Sequence, residues 1–418
     1  MNRNPVTLST GIRVGCRFLV GVVFVILAVL TLGCLTRTEA ASVYLTDVPD
    51  YEWYYGCFGT ATGNLMGYWD RHGMENFYTG PTAGGVAPID SNGSRGHSGI
   101  ISLWASKAGQ DGRLASQPGH VDDYWVTYEG TARDPYAAAG RQEHTPDCIG
   151  DFIGLNQMKW KNMNGECDGN IDGFSFVYWD ATGGRRINYT PTAVAGLPAT
   201  DIPSGLRAWT AWRGYAADVF TQLADLNPLV RSGGGFKFED LQTEINAGYP
   251  VLLFLQNPAA NSRALGGIDR ANPRIHGMLA YGYLVNSEGE RFVRMRTSWG
   301  SGDSIFNPWV SGDWLPANSL HLPLRGVIGF HPQPRIMSVA RSGGQLTVRW
   351  HGPSSMRYDE EAGTFTPAHW YVLESATTLG PNHFAPVGEP TADREVTLQP
   401  GTDRTLFLRV RLLPPPAP

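Results

Sequence analysis

This chain has little charge, few cysteines and one long apolar run. Lys, Arg, Asp and Glu supply 17% of its 418 residues, against 42% hydrophobic residues. Such a balance excludes a charged, disordered chain and predicts packed globular structure, with length for two or three domains. Basic excess is also missing: the net charge is −5. With residues 1–40 set aside, 29 basic and 37 acidic side chains remain, a net −8. That argues against nucleic acid or an anionic lipid surface as partner. No His-Glu-x-x-His pattern occurs. The glycine-rich stretches Gly93-Ser-Arg-Gly96 and Ser232-Gly-Gly-Gly235 are not followed by Lys-Ser/Thr. Zinc-peptidase and phosphate-cradle chemistry are therefore not expected. No internal repeat is visible, and no cofactor is expected.

The long apolar run lies at the N-terminus. Arg3, Arg13 and Arg17 precede Phe18–Leu35, and Thr38-Glu-Ala40 offers small residues for cleavage. This is a signal-peptide pattern and predicts a secreted or cell-envelope protein cut after Ala40, with no later membrane insertion. An uncleaved anchor is the alternative for a run of this length. Cys34 in Leu-Gly-Cys offers lipid attachment, although Thr31 fits that pattern poorly.

Export makes the five cysteines informative. Beyond residue 40 stand Cys57, Cys148 and Cys167. The last two, in a Gly/Asn/Asp-rich stretch, are a plausible disulfide in an oxidising compartment. That leaves Cys57 as the odd thiol; an inert buried cysteine, or pairing with one of the other two, is the alternative. Cys57 closes an aromatic loop, Tyr51-Glu-Trp53-Tyr54-Tyr-Gly-Cys57. Ala61, Leu65, Tyr68 and Trp69 then mark one apolar face of a helix. A thiol at a helix start meets the positive end of the dipole, which favours thiolate, and unpaired N–H groups that stabilise an oxyanion.

A thiol nucleophile needs a base. The helix-like run Phe238–Gly248 ends on glycine and is followed by the apolar strand Tyr249–Leu255. His276–Tyr283 and Arg291–Arg296 read as two further strands, with Asn286–Gly289 as their turn. His276 opens the first of these, across a cleft from the helix, where an imidazole would take the thiol proton and return it to a leaving amine. Helices followed by an antiparallel meander predict an α+β fold. Trp125–Tyr128 and Phe174–Trp179 add short strand-like pieces.

His276-Gly-Met-Leu-Ala-Tyr-Gly-Tyr283, a second strand and then Thr297-Ser-Trp299-Gly resemble the papain-like cysteine peptidases, in which the order Cys, His, Asn recurs. The front end, Tyr-Gly-Cys57 and Gly67-Tyr-Trp-Asp70, is more similar to the bacteriocin-processing branch, in large secreted bacterial proteins. His120–Trp125, Glu143-His144, Asp147–Ile153 and Phe238–Val251 belong to the same resemblance, which covers roughly residues 44–330. It implies a papain-like fold: a nucleophile-bearing helix packed on an antiparallel sheet. Cys57 would be the nucleophile and His276 the base, acting on a peptide or protein substrate. The family has Asn or Asp where this chain has Thr297, so Thr297 or Asn286 is expected to orient the imidazole. The family's oxyanion Gln is replaced by Tyr51, leaving Tyr51, Trp53 or Tyr54 as donors, with Trp299 beside the cleft. These departures motivate an alternative: an inactive papain-like fold serving as an extracellular binding module. A transglutaminase-like acyl transferase shares the Cys-His chemistry.

The expected domains are a signal peptide at 1–40, a peptidase-like domain at 41–333 and a small β-sandwich at 334–413, with a Pro-rich tail at 414–418. The linker is His331-Pro-Gln-Pro334. Gln345–Trp350, Trp370–Glu374, Arg394–Leu398 and Thr405–Arg411 alternate in period two. This part is similar to fibronectin type III-like appendages, and a surface ligand is the partner it could take, with no binding at all as the alternative. Asp168, Asn170 and Asp172 form half of a calcium loop, but Trp179 stands where the closing acid belongs, so a polar turn is expected and no metal.

Overall fold

The computed structural model describes residues 40–51, 57–77, 86–90, 149–153, 187–188, 202–226, 230, 233–256, 275–299, 304–310, 314, 322–380, 382–399 and 406–413. It is an α+β molecule whose strands pair antiparallel. Residues 1–39, the strand-like pieces at 125–128 and 174–179, and residues 414–418 lie outside the described residues.

Helix α1 (Cys57–Arg71) is buried along almost its whole circumference, from Cys57 to Asp70. Its inner positions Ala61, Leu65, Tyr68 and Trp69 have no exposed surface. A helix covered on all sides belongs in the middle of a domain rather than on its surface. Trp69 sits among Tyr249, Phe330 and His369, with ring centroids 5.8, 6.5 and 6.1 Å away. Short α2 (Ile149–Ile153) and α3 (Ile202–Trp212) cross closely, because a Cβ on Gly205 would lie 2.3 Å from the Phe152 carbonyl.

The helix predicted at 238–248 is α4 (Phe238–Asn246). The Asp240 carboxylate accepts the Lys237 N–H at 2.8 Å and closes its N-terminus. Gly248, at φ +87°, ends it in a left-handed conformation suited to glycine.

Among the described residues, ten strands form the main sheet. β5 (Ile275–Val285) is its axis. β4 (Val251–Gln256) pairs with the first half of β5, and β1 (Ala41–Leu45) with the second half of the same edge. β6 (Arg291–Arg296) takes the other edge and carries β7 (Ser304–Pro308). β2 (Ile187–Asn188), β3 (Ala217–Leu223) and β8 (Leu324–Pro332) extend the sheet beyond β4. The predicted strands at 249–255, 276–283 and 291–296 are β4, β5 and β6. Their core residues, Val251 to Leu255 and Met278 to Ala280, are fully enclosed.

Beyond β8, two three-stranded sheets face each other. One is β9 (Arg335–Ser342), β10 (Gln345–His351) and β15 (Glu395–Leu398); the other is β13 (Trp370–Ala376), β14 (Ala385–Pro386) and β16 (Phe407–Leu413). Val348, Trp350, Tyr371 and Leu373 fill the space between them. The hairpin β11 (Met356–Asp359) and β12 (Thr364–Pro367) lies beyond residue 333 in the chain, yet leaves this unit and pairs with β1. Tyr44 stands opposite Tyr358, ring centroids 5.3 Å apart. The main sheet therefore contains strands from both sides of the expected boundary.

Candidate active site

Cys57 is the first residue of α1, buried at 4% exposure, and is a thiol rather than half of a disulfide. His276, the second residue of β5, is fully enclosed. Their chain neighbours interlock. A Cβ built on Gly277 would lie 2.7 Å from the Phe58 ring, so the aromatic residue after the thiol fills the space left by the glycine after the histidine. Phe58 also packs on Phe254 of β4 at 4.8 Å, opposite Gly277 in the register. Burial of one such ring contributes roughly 1.5–3 kcal/mol. Here it also pins the start of α1 against the start of β5.

The imidazole is held by the segment after β6. His276 Nε2 lies 2.5 Å from the Thr297 backbone oxygen. A carbonyl only accepts, so Nε2 carries the proton and Nδ1 is the bare, basic nitrogen. That Nδ1 is buried and has no hydrogen-bond partner among the described residues. The indole of Trp299 stacks on the imidazole at 4.4 Å and 11°. Burial lowers the His276 pKa to about 4, and the hydrogen bond from Nε2–H to the carbonyl offsets this only in part. The ring is neutral at pH 7.

A residue not singled out in the sequence shapes this segment. Ser298, at φ +64°, is a non-glycine residue in the left-handed region. It is 2% exposed, and its hydroxyl has no partner among the described residues. A second such feature is the ion pair Arg296–Asp50 at 3.1 Å, with Arg296 also donating to the Val48 carbonyl at 2.9 Å. It clamps the strand leading to Thr297 against the segment leading to Cys57. The only sequence signal for either was adjacency to the motifs.

No family model, curated protein or solved structure matches this chain.

Two of the expected site residues stand away from the thiol and the imidazole. The Tyr51 hydroxyl donates to the Pro88 carbonyl at 2.8 Å and occupies the space beside Gly67. Gly67 is ten residues along α1 from Cys57, about 15 Å at the helical rise, so this hydroxyl does not face the thiol. Asn286 is spent on its turn: its side-chain oxygen accepts the Glu288 and Glu290 N–H groups, and its amide donates to the Glu290 carboxylate at 2.7 Å. It stands at the opposite end of β5 from His276, roughly 30 Å away at the strand rise. Thr297 does contact the imidazole, but through its main chain; its hydroxyl accepts the Trp299 N–H at 3.4 Å.

Trp53, Tyr54, Cys148, Cys167, Asp168, Asn170 and Asp172 lie outside the described residues. Among the described residues no group of three or more His, Cys, Asp or Glu side chains is placed to hold a metal ion.

Proposed function

We propose that this chain is a cysteine peptidase or related amide hydrolase of papain-like type, with Cys57 as nucleophile and His276 as general base. The observation that carries the reading is the state of His276. Its Nε2–H is fixed on a carbonyl, its Nδ1 is bare and buried, and the residue beside it interlocks with the residue beside Cys57. An imidazole so held can accept a proton only at Nδ1, the position a general base needs free.

In this scheme the Cys57 sulfur adds to the substrate carbonyl carbon as its proton passes to Nδ1 of His276. The imidazolium then protonates the departing amine nitrogen, the C–N bond breaks and a thioester remains. Water gives its proton to Nδ1 and adds to the thioester carbon; the C–S bond breaks and the proton returns to sulfur. The Cys57 N–H at the head of α1 is the oxyanion donor we assign. Because the resting imidazole is neutral, proton transfer accompanies attack rather than preceding it. The substrate is a peptide or amide, no cofactor takes part, and the setting is extracellular or envelope. The sandwich beyond β8 acts as a fibronectin type III-like appendage.

The deciding measurement compares the full-length protein with Cys57→Ala and His276→Gln on a broad peptide mixture analysed by mass spectrometry. Cleavage by the parent and at least about 10³-fold less by either variant supports the assignment. Cleavage by Cys57→Ala at the parent's rate would overturn it. No cleavage by the parent would favour the inactive binding module instead.

A further inference from the structure

We propose that Ser298 is the positioning residue of this site: its left-handed turn aims the Thr297 main-chain carbonyl at Nε2 of His276, so a backbone oxygen takes the part of a side-chain orienter. The proposal rests on the reading of Cys57 and His276 as nucleophile and base.

Both arms of one turn touch the same ring. On one side the Thr297 carbonyl meets Nε2 at 2.5 Å; on the other the Trp299 indole lies flat against the imidazole at 4.4 Å. The peptide plane that carries the carbonyl is joined to the rest of the chain through φ of Ser298. At +64° that torsion lets the chain double back, so the indole reaches the ring face while the carbonyl reaches the ring edge. An L-residue pays a conformational penalty in that region, and such penalties persist where the surroundings fix them, often at functional sites.

The Ser298 side chain does not explain the turn. Its hydroxyl is buried and has no partner among the described residues, so its contribution is main-chain geometry. Nor is the Thr297 side chain the orienter, since the contact to His276 is through its carbonyl. A carbonyl is a neutral acceptor. It fixes the Nε2–H tautomer and ring angle as a side-chain amide oxygen would, and it exists whatever residue occupies position 297. That accounts for a threonine where the papain-like resemblance implies asparagine or aspartate.

The test separates orientation from turnover. In the full-length protein with ¹⁵N-labelled histidine, the His276 imidazole is followed by long-range ¹H–¹⁵N correlation, assigned by difference against His276→Gln. The parent is expected to show a single Nε2–H tautomer. Ser298→Gly, which adopts a positive φ freely, and Thr297→Val, which keeps the carbonyl and loses the hydroxyl, are expected to retain it. Ser298→Val, β-branched and disfavoured at positive φ, is expected to give mixed tautomers and on the order of a hundredfold lower kcat/KM. Should Ser298→Val fail to fold, Ser298→Thr, β-branched and smaller, carries the same comparison. An Nδ1–H tautomer in the parent, loss of the Nε2–H state in Thr297→Val, or its full retention in a folded Ser298→Val or Ser298→Thr would each overturn the proposal. The tautomer is read whether or not hydrolysis is found, so failure of the peptidase reading is told apart from failure of this one.

Discussion

At the scale of single residues, the contact between Phe58 and Gly277 couples the two halves of the candidate site. A methyl group on Gly277 would sit 2.7 Å from the ring of Phe58, which is itself wedged on Phe254. Gly277→Ala is expected to cost about 1–3 kcal/mol in urea unfolding, because the ring has nowhere to retreat. It should also push the head of α1 away from β5, lowering any hydrolytic rate more than the stability loss alone predicts. The sequence carried Cys57 and His276 through their types and surroundings: a glycine-aromatic loop before one, an apolar strand after the other. It did not carry the atom that meets the imidazole. A main-chain carbonyl belongs to every residue, so its role is invisible until the φ of Ser298 is known. Tyr51 lies away from the thiol for a related reason. Position relative to the thiol suggested proximity, while the space at Gly67 drew the ring along the helix instead.

At the scale of elements, β4, β5, β6 and α4 were legible because each announces itself locally. They have an apolar run, a glycine stop or a polar turn at the right interval. β1 and the β11–β12 hairpin were not, since a short strand becomes one only by finding its neighbour. Val43, Tyr44 and Leu45 pair with Asp359, Tyr358 and Arg357, more than three hundred residues away in the chain. A protein ended at residue 333 would leave that edge of β1 without the partner it has here. Unpaired edges of this kind recruit other chains. Such a truncation is expected to elute as aggregates in size-exclusion chromatography, where the full chain does not. Recovery of a stable, dispersed 41–333 fragment would show instead that the hairpin is dispensable.

At the scale of the whole molecule, histidines crowd the seam between the main sheet and the sandwich. His72, just after α1, contacts the Thr46 carbonyl at 3.0 Å and lies tilted against the Tyr68 ring, centroids 4.3 Å apart. His369, just before β13, meets Tyr249 edge-on at 5.1 Å, and His331 stacks on Tyr249 at 4.0 Å while pairing with Glu244. Burial lowers the His72 pKa to about 4; burial, then the nearby His72, lowers that of His369 to about 3. A histidine whose folded value is depressed binds protons more readily when unfolded. It costs nothing above the unfolded value near 6.5, and stability falls with pH from there down to the folded value. A shift of the size seen at His72 or His276 corresponds to roughly 3 kcal/mol each by that lower limit. The urea midpoint is therefore expected to drop between pH 6.5 and 4. His369→Phe, which keeps a ring and removes the titration, should flatten that slope. An unchanged slope would mean the seam is open to water.

The long-range partnership of β1 with β11 also has a consequence in time. A chain is made from its N-terminus, so β1 is among the first of the described segments to emerge and Asp359 among the last. Until the hairpin has been synthesised, one edge of β1 has nothing to close it. The main sheet therefore cannot reach its final form early in translation, however complete its other strands are. Any hydrolytic competence of Cys57 and His276 that depends on that sheet would arrive only with nearly the whole polypeptide, a delay written into the order of the strands.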